Sequence, residues 1–141
     1  MGCYNSTVVP AGVYEVWEAL RSFHDLGWAS GMITQLDVVG DVPDGQVGAR
    51  RILNDAFHET LQSIDDTNHE FTYSIDDGPG PVSRAAVANY VGRVRTAPIT
   101  DSDATFVEWM SSYDSADQDS VQEFCDPIYQ ALLQALKAHF T

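Results

Sequence analysis

Basic residues are scarce in this chain. It carries 7 Lys+Arg, of which Lys137 is the single lysine, against 21 Asp+Glu, for a formal charge of −14 over 141 residues. A surface of that sign repels phosphates and anionic head groups, so neither nucleic acid nor a bare membrane is an expected partner. No apolar run approaches the roughly 18 residues that cross a bilayer, so no stable membrane insertion is expected either. The first residues have neither a basic start nor an apolar stretch. No signal peptide is read, and a cytoplasmic location is expected. Cysteine is equally sparse. Cys3 and Cys125 stand at opposite ends of the sequence, outside any CxxC or His-linked pattern. They read as buried free thiols, and as a disulfide only if the two ends meet in space. The four histidines, His24, His58, His69 and His139, show no zinc spacing, and HExxH, GxSxG, Walker and GxGxxG patterns are absent. No metal and no cofactor are expected.

What is present is the length and patterning of one domain, residues 1–141. The excess of aspartate in loops fits a soluble acidic surface or a saline interior. Met1-Gly2-Cys3 with Ser6 matches a lipidation pattern, and Asn5-Ser6-Thr7 a glycosylation sequon, but residues 3–9 also read as a strand. Pro10 opens a helical pattern with Val13, Val16, Trp17, Leu20 and Phe23 in one stripe, and a short second helical piece follows over 24–28. The period then changes to two. Strands are expected over 33–39, 48–54, 57–64, 69–75, 85–99 and 104–113, separated by Asp-, Asn-, Gly- and Pro-rich turns. In the tail, Val121, Phe124, Cys125, Ile128, Tyr129, Leu132, Leu136 and Phe140 form an amphipathic stripe over 119–140. Pro127 inside it predicts a kink, or a restart with Asp126 as N-cap. Asp114, Asp117, Asp119 and Glu123 read as the acidic approach to that helix rather than a calcium loop.

Strand, two short helices, six strands and a long helix make an α+β domain. The tail's apolar stripe has only the sheet to bury it. A curved antiparallel sheet wrapped round that helix encloses a cavity, expected at roughly 300–1,000 Å³.

The order and spacing of several motifs carry a resemblance over nearly the whole chain. They are Val16-Trp17-Glu18-Ala19-Leu20 with Phe23 and Trp28, Gly48-Ala49-Arg50-Arg51, Glu59-Thr60-Leu61, Ile64-Asp65-Asp66, Phe71 with Tyr73 and Ile75, Val107-Glu108-Trp109, and Tyr129 with Leu132 and Leu136. The chain resembles the START and birch-pollen-allergen superfamily, and within it the bacterial polyketide cyclase/dehydrase and lipid-transport family. The resemblance implies a helix-grip fold, with a curved seven-stranded antiparallel sheet around the C-terminal helix. It also implies an internal site for a lipid or an aromatic polyketide-like metabolite.

Strand parity selects the candidate residues. Phe57, Glu59 and Leu61 share a face, as do Ala88, Tyr90 and Val94, while Asn89, Arg93 and Arg95 face water. Trp109 points inward with Val107 and Tyr113. Trp17, Trp28, Arg51, Leu61, His69, Tyr73, Trp109, Ile128 and Leu132 are the expected ligand contacts. The three tryptophans serve either as stacking surfaces or as core. His69 shares the parity of Phe71 and Tyr73, or is half-exposed at a strand start. Glu59, an acid among apolar neighbours, has its charged form disfavoured by desolvation. Glu59 and Asn89-Tyr90 are similar to pocket positions of related plant hormone receptors. Two readings of Glu59 stand. It forms a polar pair with Tyr90 that orients a ligand through water, or it bonds Arg51 across adjacent strands as sheet support. The expected function is a carrier or sensor of a small apolar ligand, as monomer or homodimer. The alternative is a cyclase or dehydratase with Glu59 and Tyr90 as acid and base.

Overall fold

The computed structural model describes residues 2–141. Seven strands form one antiparallel sheet: β1 (Tyr4–Val9), β2 (Leu36–Val39), β3 (Arg50–Leu53), β4 (Phe57–Asp65), β5 (Glu70–Asp77), β6 (Ala88–Pro98) and β7 (Thr105–Asp114). Their spatial order is β1-β7-β6-β5-β4-β3-β2. β2 to β7 are therefore a meander, and β1 closes on its last strand. The turn residues explain the register. Asn54 and Asp55 adopt positive φ between β3 and β4, a conformation that Asn and Asp tolerate. Asn54 Oδ1 also accepts the amides of Thr34 and Gln35, pinning the approach to β2. Between β4 and β5, Asp65 Oδ1 accepts the amides of Thr67 and Asn68.

Register shifts between His58 and Glu59, between Leu61 and Ser63, and between Ala88 and Val91 interrupt the ladders. Such bulges bend a strand and raise its twist, which gives the sheet its curvature. The last shift, with Asn89 at φ 53°, turns Ala88 outward while Tyr90 stays buried, so these two do not share a face as parity predicted.

α1 (Val13–Arg21) buries Val16, Trp17 and Leu20. Pro10 lies in the bend before it rather than in its first turn. The second helical piece is a single 3-10 turn, Gly27–Ala29, and another, unpredicted, covers Gly80–Val82 in the Pro-rich loop. α2 (Gln118–His139) is one helix running through Pro127. No restart occurs at Asp126: the N-cap is Asp117, whose side chain accepts the Ser120 amide, and Asp126 instead accepts a hydrogen bond from Asn5 Nδ2 at 3.0 Å. α2 lays Val121, Cys125, Tyr129, Leu132, Leu133 and Leu136 on the concave face of the sheet and packs most closely on β1. The chain ends thereby meet, and Cys3 and Cys125 are both buried as free thiols. Among the described residues, no helix is long and apolar enough to cross a membrane. Met1, the first residue of the lipidation pattern, lies outside the described residues, and Cys3 points into the core.

A cavity between the grip helix and the sheet

The inner face of the sheet and the middle of α2 enclose a cavity of about 50 Å³. This corrects the volume expected from the sequence. It is room for about three or four waters on the same measure, not for a metabolite. The aromatic side chains that were to line a larger space occupy it instead. Tyr73, Tyr90, Trp109 and Tyr129 are each buried, and all four border what remains. Half-buried Ile33, Phe57, Ile75 and Ile128 form its outer part.

One buried ion pair faces this apolar space. Arg51 on β3 and Glu59 on β4 are cross-strand partners in register. Glu59 Oε1 accepts from Arg51 Nε at 2.8 Å and from Nη2 at 2.6 Å. Arg51 Nη1 donates to the Phe23 carbonyl at 2.9 Å, and the guanidinium lies 3.8 Å from the centre of the Phe23 ring. Their side chains are 4% and 6% exposed. Burial raises the Glu59 pKa above its ordinary value, and the Arg51 charge offsets this only in part. The cross-strand reading of Glu59 therefore describes its direct contacts, and no direct hydrogen bond joins Glu59 to Tyr90.

Tyr90 belongs to a different network. Trp109 Nε1 donates to the Tyr73 hydroxyl at 2.9 Å, and Tyr73 donates to Tyr129 at 3.1 Å. The Tyr129 and Tyr90 hydroxyls share a short hydrogen bond, and Tyr90 donates to Cys125 Sγ at 3.4 Å. Each hydroxyl has one proton, so Tyr129 must be the donor to Tyr90, and the chain runs in one direction from Trp109 to Cys125. The rings of Trp109 and Tyr129 stack at 5.5 Å. Burial pushes the pKa of Tyr73, Tyr90 and Tyr129 upward, so all three hydroxyls stay protonated donors near neutrality.

Of the residues expected at the site, the fold brings Arg51, Glu59, Tyr73, Tyr90, Trp109, Ile128 and Leu132 together around the cavity. Four lie elsewhere. Leu61 is solid core, one pleat too far along β4. Trp28 packs on Trp109 at 6.5 Å, with its Nε1 buried and unpartnered. Trp17, on the buried face of α1, donates to Asp66 Oδ1 at 2.8 Å and stacks on His69 at 5.4 Å, away from the cavity. His69 precedes β5 with φ 56°, which takes it off the inward face predicted by parity. Cys125, Tyr129, Phe57 and Ile75 line the cavity without having been predicted to do so. The signal available for Tyr129 was a tyrosine on the apolar stripe of a helix, since a buried hydroxyl needs a partner.

Among the described residues, no group of three or more His, Cys, Asp or Glu side chains could hold a metal ion. Among curated proteins, none matches the sequence. Solved structures do. A protein of Nitrosospira multiformis is 42% identical with a TM-score of 0.96, the match covering 100% of this chain and 97% of that one. The XoxI protein of Bacillus cereus is 22% identical with a TM-score of 0.80, over 99% and 94% of the two chains. Norcoclaurine synthase of Thalictrum flavum is 15% identical with a TM-score of 0.73, over 98% and 84%, and shares the fold alone. The family model described as polyketide cyclase/dehydrase and lipid transport matches residues 3–141. From Cys3 to Thr141, this chain belongs to the polyketide cyclase/dehydrase and lipid-transport family.

Proposed function

We propose that the protein binds a small hydrophobic molecule, a lipid or aromatic metabolite, between α2 and the sheet and acts as a carrier or sensor. The observation that carries this is an apolar cavity bordered by both a buried Arg51–Glu59 pair and a chain of hydroxyls. Ordinary cores contain apolar space or polar networks; a ligand site combines mostly apolar walls with a few placed polar groups. At about 50 Å³ the cavity must enlarge to admit a metabolite. α2 is the element that can yield, since it meets the sheet through side chains while each strand is held by a backbone ladder. The Thalictrum synthase has been crystallised with dopamine and hydroxybenzaldehyde, an instance of this fold receiving small aromatic molecules.

Binding is favoured over cyclisation or dehydration. Acid–base catalysis by Glu59 and Tyr90 calls for two convergent groups of suitable pKa. Glu59 is engaged by Arg51, and Tyr90 is engaged by Tyr129 and Cys125 with its proton held more tightly than usual. Native mass spectrometry of gently purified protein tests the proposal, followed by thermal melts against a panel of fatty acids and aromatic polyketides. A binder present at about a hundred times its Kd should raise Tm by roughly 5–10 °C. No co-purifying mass, together with no shift from any panel member, would remove the ligand-binding reading.

A further inference from the structure

The two cysteines lie at the far end of the hydroxyl chain. Cys3 heads β1, where its carbonyl accepts the Ser111 amide at 3.0 Å, and Cys125 sits in the middle of α2 in the cavity wall. Each thiol touches one ring of a stacked pair. Cys3 Sγ is 3.9 Å from the Tyr113 hydroxyl, Cys125 Sγ is 3.4 Å from that of Tyr90, and the two rings stack at 5.5 Å and 13°. The two thiols are also neighbours, each shifting the ionisation of the other. The directed chain from Trp109 thus ends on Cys125, beside Cys3. A second clasp lies beside it: Asn5, two residues after Cys3, holds Asp126, the residue after Cys125. Strand and helix are fixed in register where the sulfurs meet.

We infer that Cys3 and Cys125 are a redox-reversible disulfide pair that fastens α2 to β1 and holds the cavity closed. The sulfurs differ in role. The neighbouring Cys125 thiol holds the Cys3 thiol below its ordinary pKa, while Cys3 and burial raise Cys125, so Cys3 loses its proton first. Cys3, itself buried, borders an outer groove with Gly2, Tyr4 and Arg93, the side from which a small oxidant would have to reach it. With a peroxide as oxidant, the Cys3 thiolate attacks the O–O bond, leaving a sulfenic acid and hydroxide. The Cys125 thiol then attacks that sulfur. The S–S bond forms, the S–OH bond breaks, and the Cys125 proton leaves with the hydroxyl as water. Two sulfurs are oxidised together by two electrons, and the peroxide is reduced. A dithiol reductant reverses the bond by exchange. The tether fixes α2 to the β1 edge of the sheet and so restrains the movement of α2 that would enlarge the cavity; this gating role rests on the binding reading above.

The test uses the full chain with 1-anilinonaphthalene-8-sulfonate as apolar probe, before and after hydrogen peroxide and again after dithiothreitol. Expected are a loss of two hydrogens in the intact mass, a linked Cys3–Cys125 peptide, and a Tm higher by about 5–10 °C. Probe affinity should fall by at least roughly fivefold, about 1 kcal/mol, and recover on reduction. Cys3→Ser and Cys3→Ala should both lose the linked peptide and the response to peroxide. Sulfinic acid without a linked peptide overturns the disulfide. A linked peptide with unchanged probe affinity overturns the gate. Reduced protein that binds neither the probe nor any member of the ligand panel defeats the binding reading and the gate together, while the linked peptide still decides the disulfide.

Discussion

Replacing Glu59 by leucine should cost about 3–5 kcal/mol of stability, the usual penalty for stranding one member of a buried ion pair. Arg51 is 4% exposed and places two of its donors on Glu59 Oε1. With that oxygen gone, it keeps the Phe23 carbonyl and the face of the Phe23 ring, which leaves Nε and Nη2 unpaired in an apolar wall. A lone buried carboxylate would behave in the opposite way, since removing an uncompensated charge stabilises. For a chain of this size the loss lowers Tm by about 10–15 °C. It is also a large share of the roughly 5–15 kcal/mol that a typical fold has in total. Glu59→Gln retains an acceptor for Arg51 and should cost about 1 kcal/mol, the scale of one neutral hydrogen bond. The double replacement Arg51→Met with Glu59→Leu removes both charges at similar volume and should return to within about 1 kcal/mol of the parent. Urea melts followed by tryptophan fluorescence, with equal m-values, supply the cycle. If Glu59→Leu costs under about 1 kcal/mol, or the double variant is as unstable as the sum of its parts, the pair does not hold the wall as argued.

Two further outcomes follow from the same wall. Burial raises the Glu59 pKa above its ordinary value while the Arg51 charge offsets part of the rise, so the native state releases this proton at a higher pH than the unfolded chain. The stabilisation from the bound proton is lost as pH rises from the ordinary carboxylate range until the carboxylate pairs with Arg51. Parent stability relative to Glu59→Gln should therefore decline from pH 4 toward neutrality, and a flat or rising difference in urea midpoints contradicts the assignment. Gly92→Ala places a Cβ 2.2 Å from Tyr73 Cζ and 2.5 Å from its hydroxyl, so the ring must move off Trp109 and Tyr129. A loss of about 1–3 kcal/mol is expected from such overpacking, and an unchanged midpoint would mean the hydroxyl chain is looser than its geometry.

Local rules were enough for the elements. Alternating apolar residues marked the strands, and the 3.6-residue stripe marked α2. Glu59, Tyr73 and Trp109 were read as inward-facing from parity, and Arg51 was named as the cross-strand partner open to Glu59. Parity counts residues, so it fails where the count slips. His69 leaves the inward face because it sits in a left-handed turn before β5, and Ala88 does because the ladder shifts between it and Val91. Leu61 and Trp17 were identified as buried, but burial does not say which side of a packed layer meets a cavity. Three properties had no local signal at all: the small cavity volume, the partners of Tyr90, and the meeting of Cys3 with Cys125. Sequence by itself determined the class of fold, because periodicity of apolar residues is a property of neighbours along the chain. Tertiary structure alone decided the site, because a cavity, a hydroxyl chain and a thiol pair depend on separations of a few ångströms between residues as much as 122 positions apart, Cys125 minus Cys3. Those separations are set by sheet curvature and by the seating of one helix.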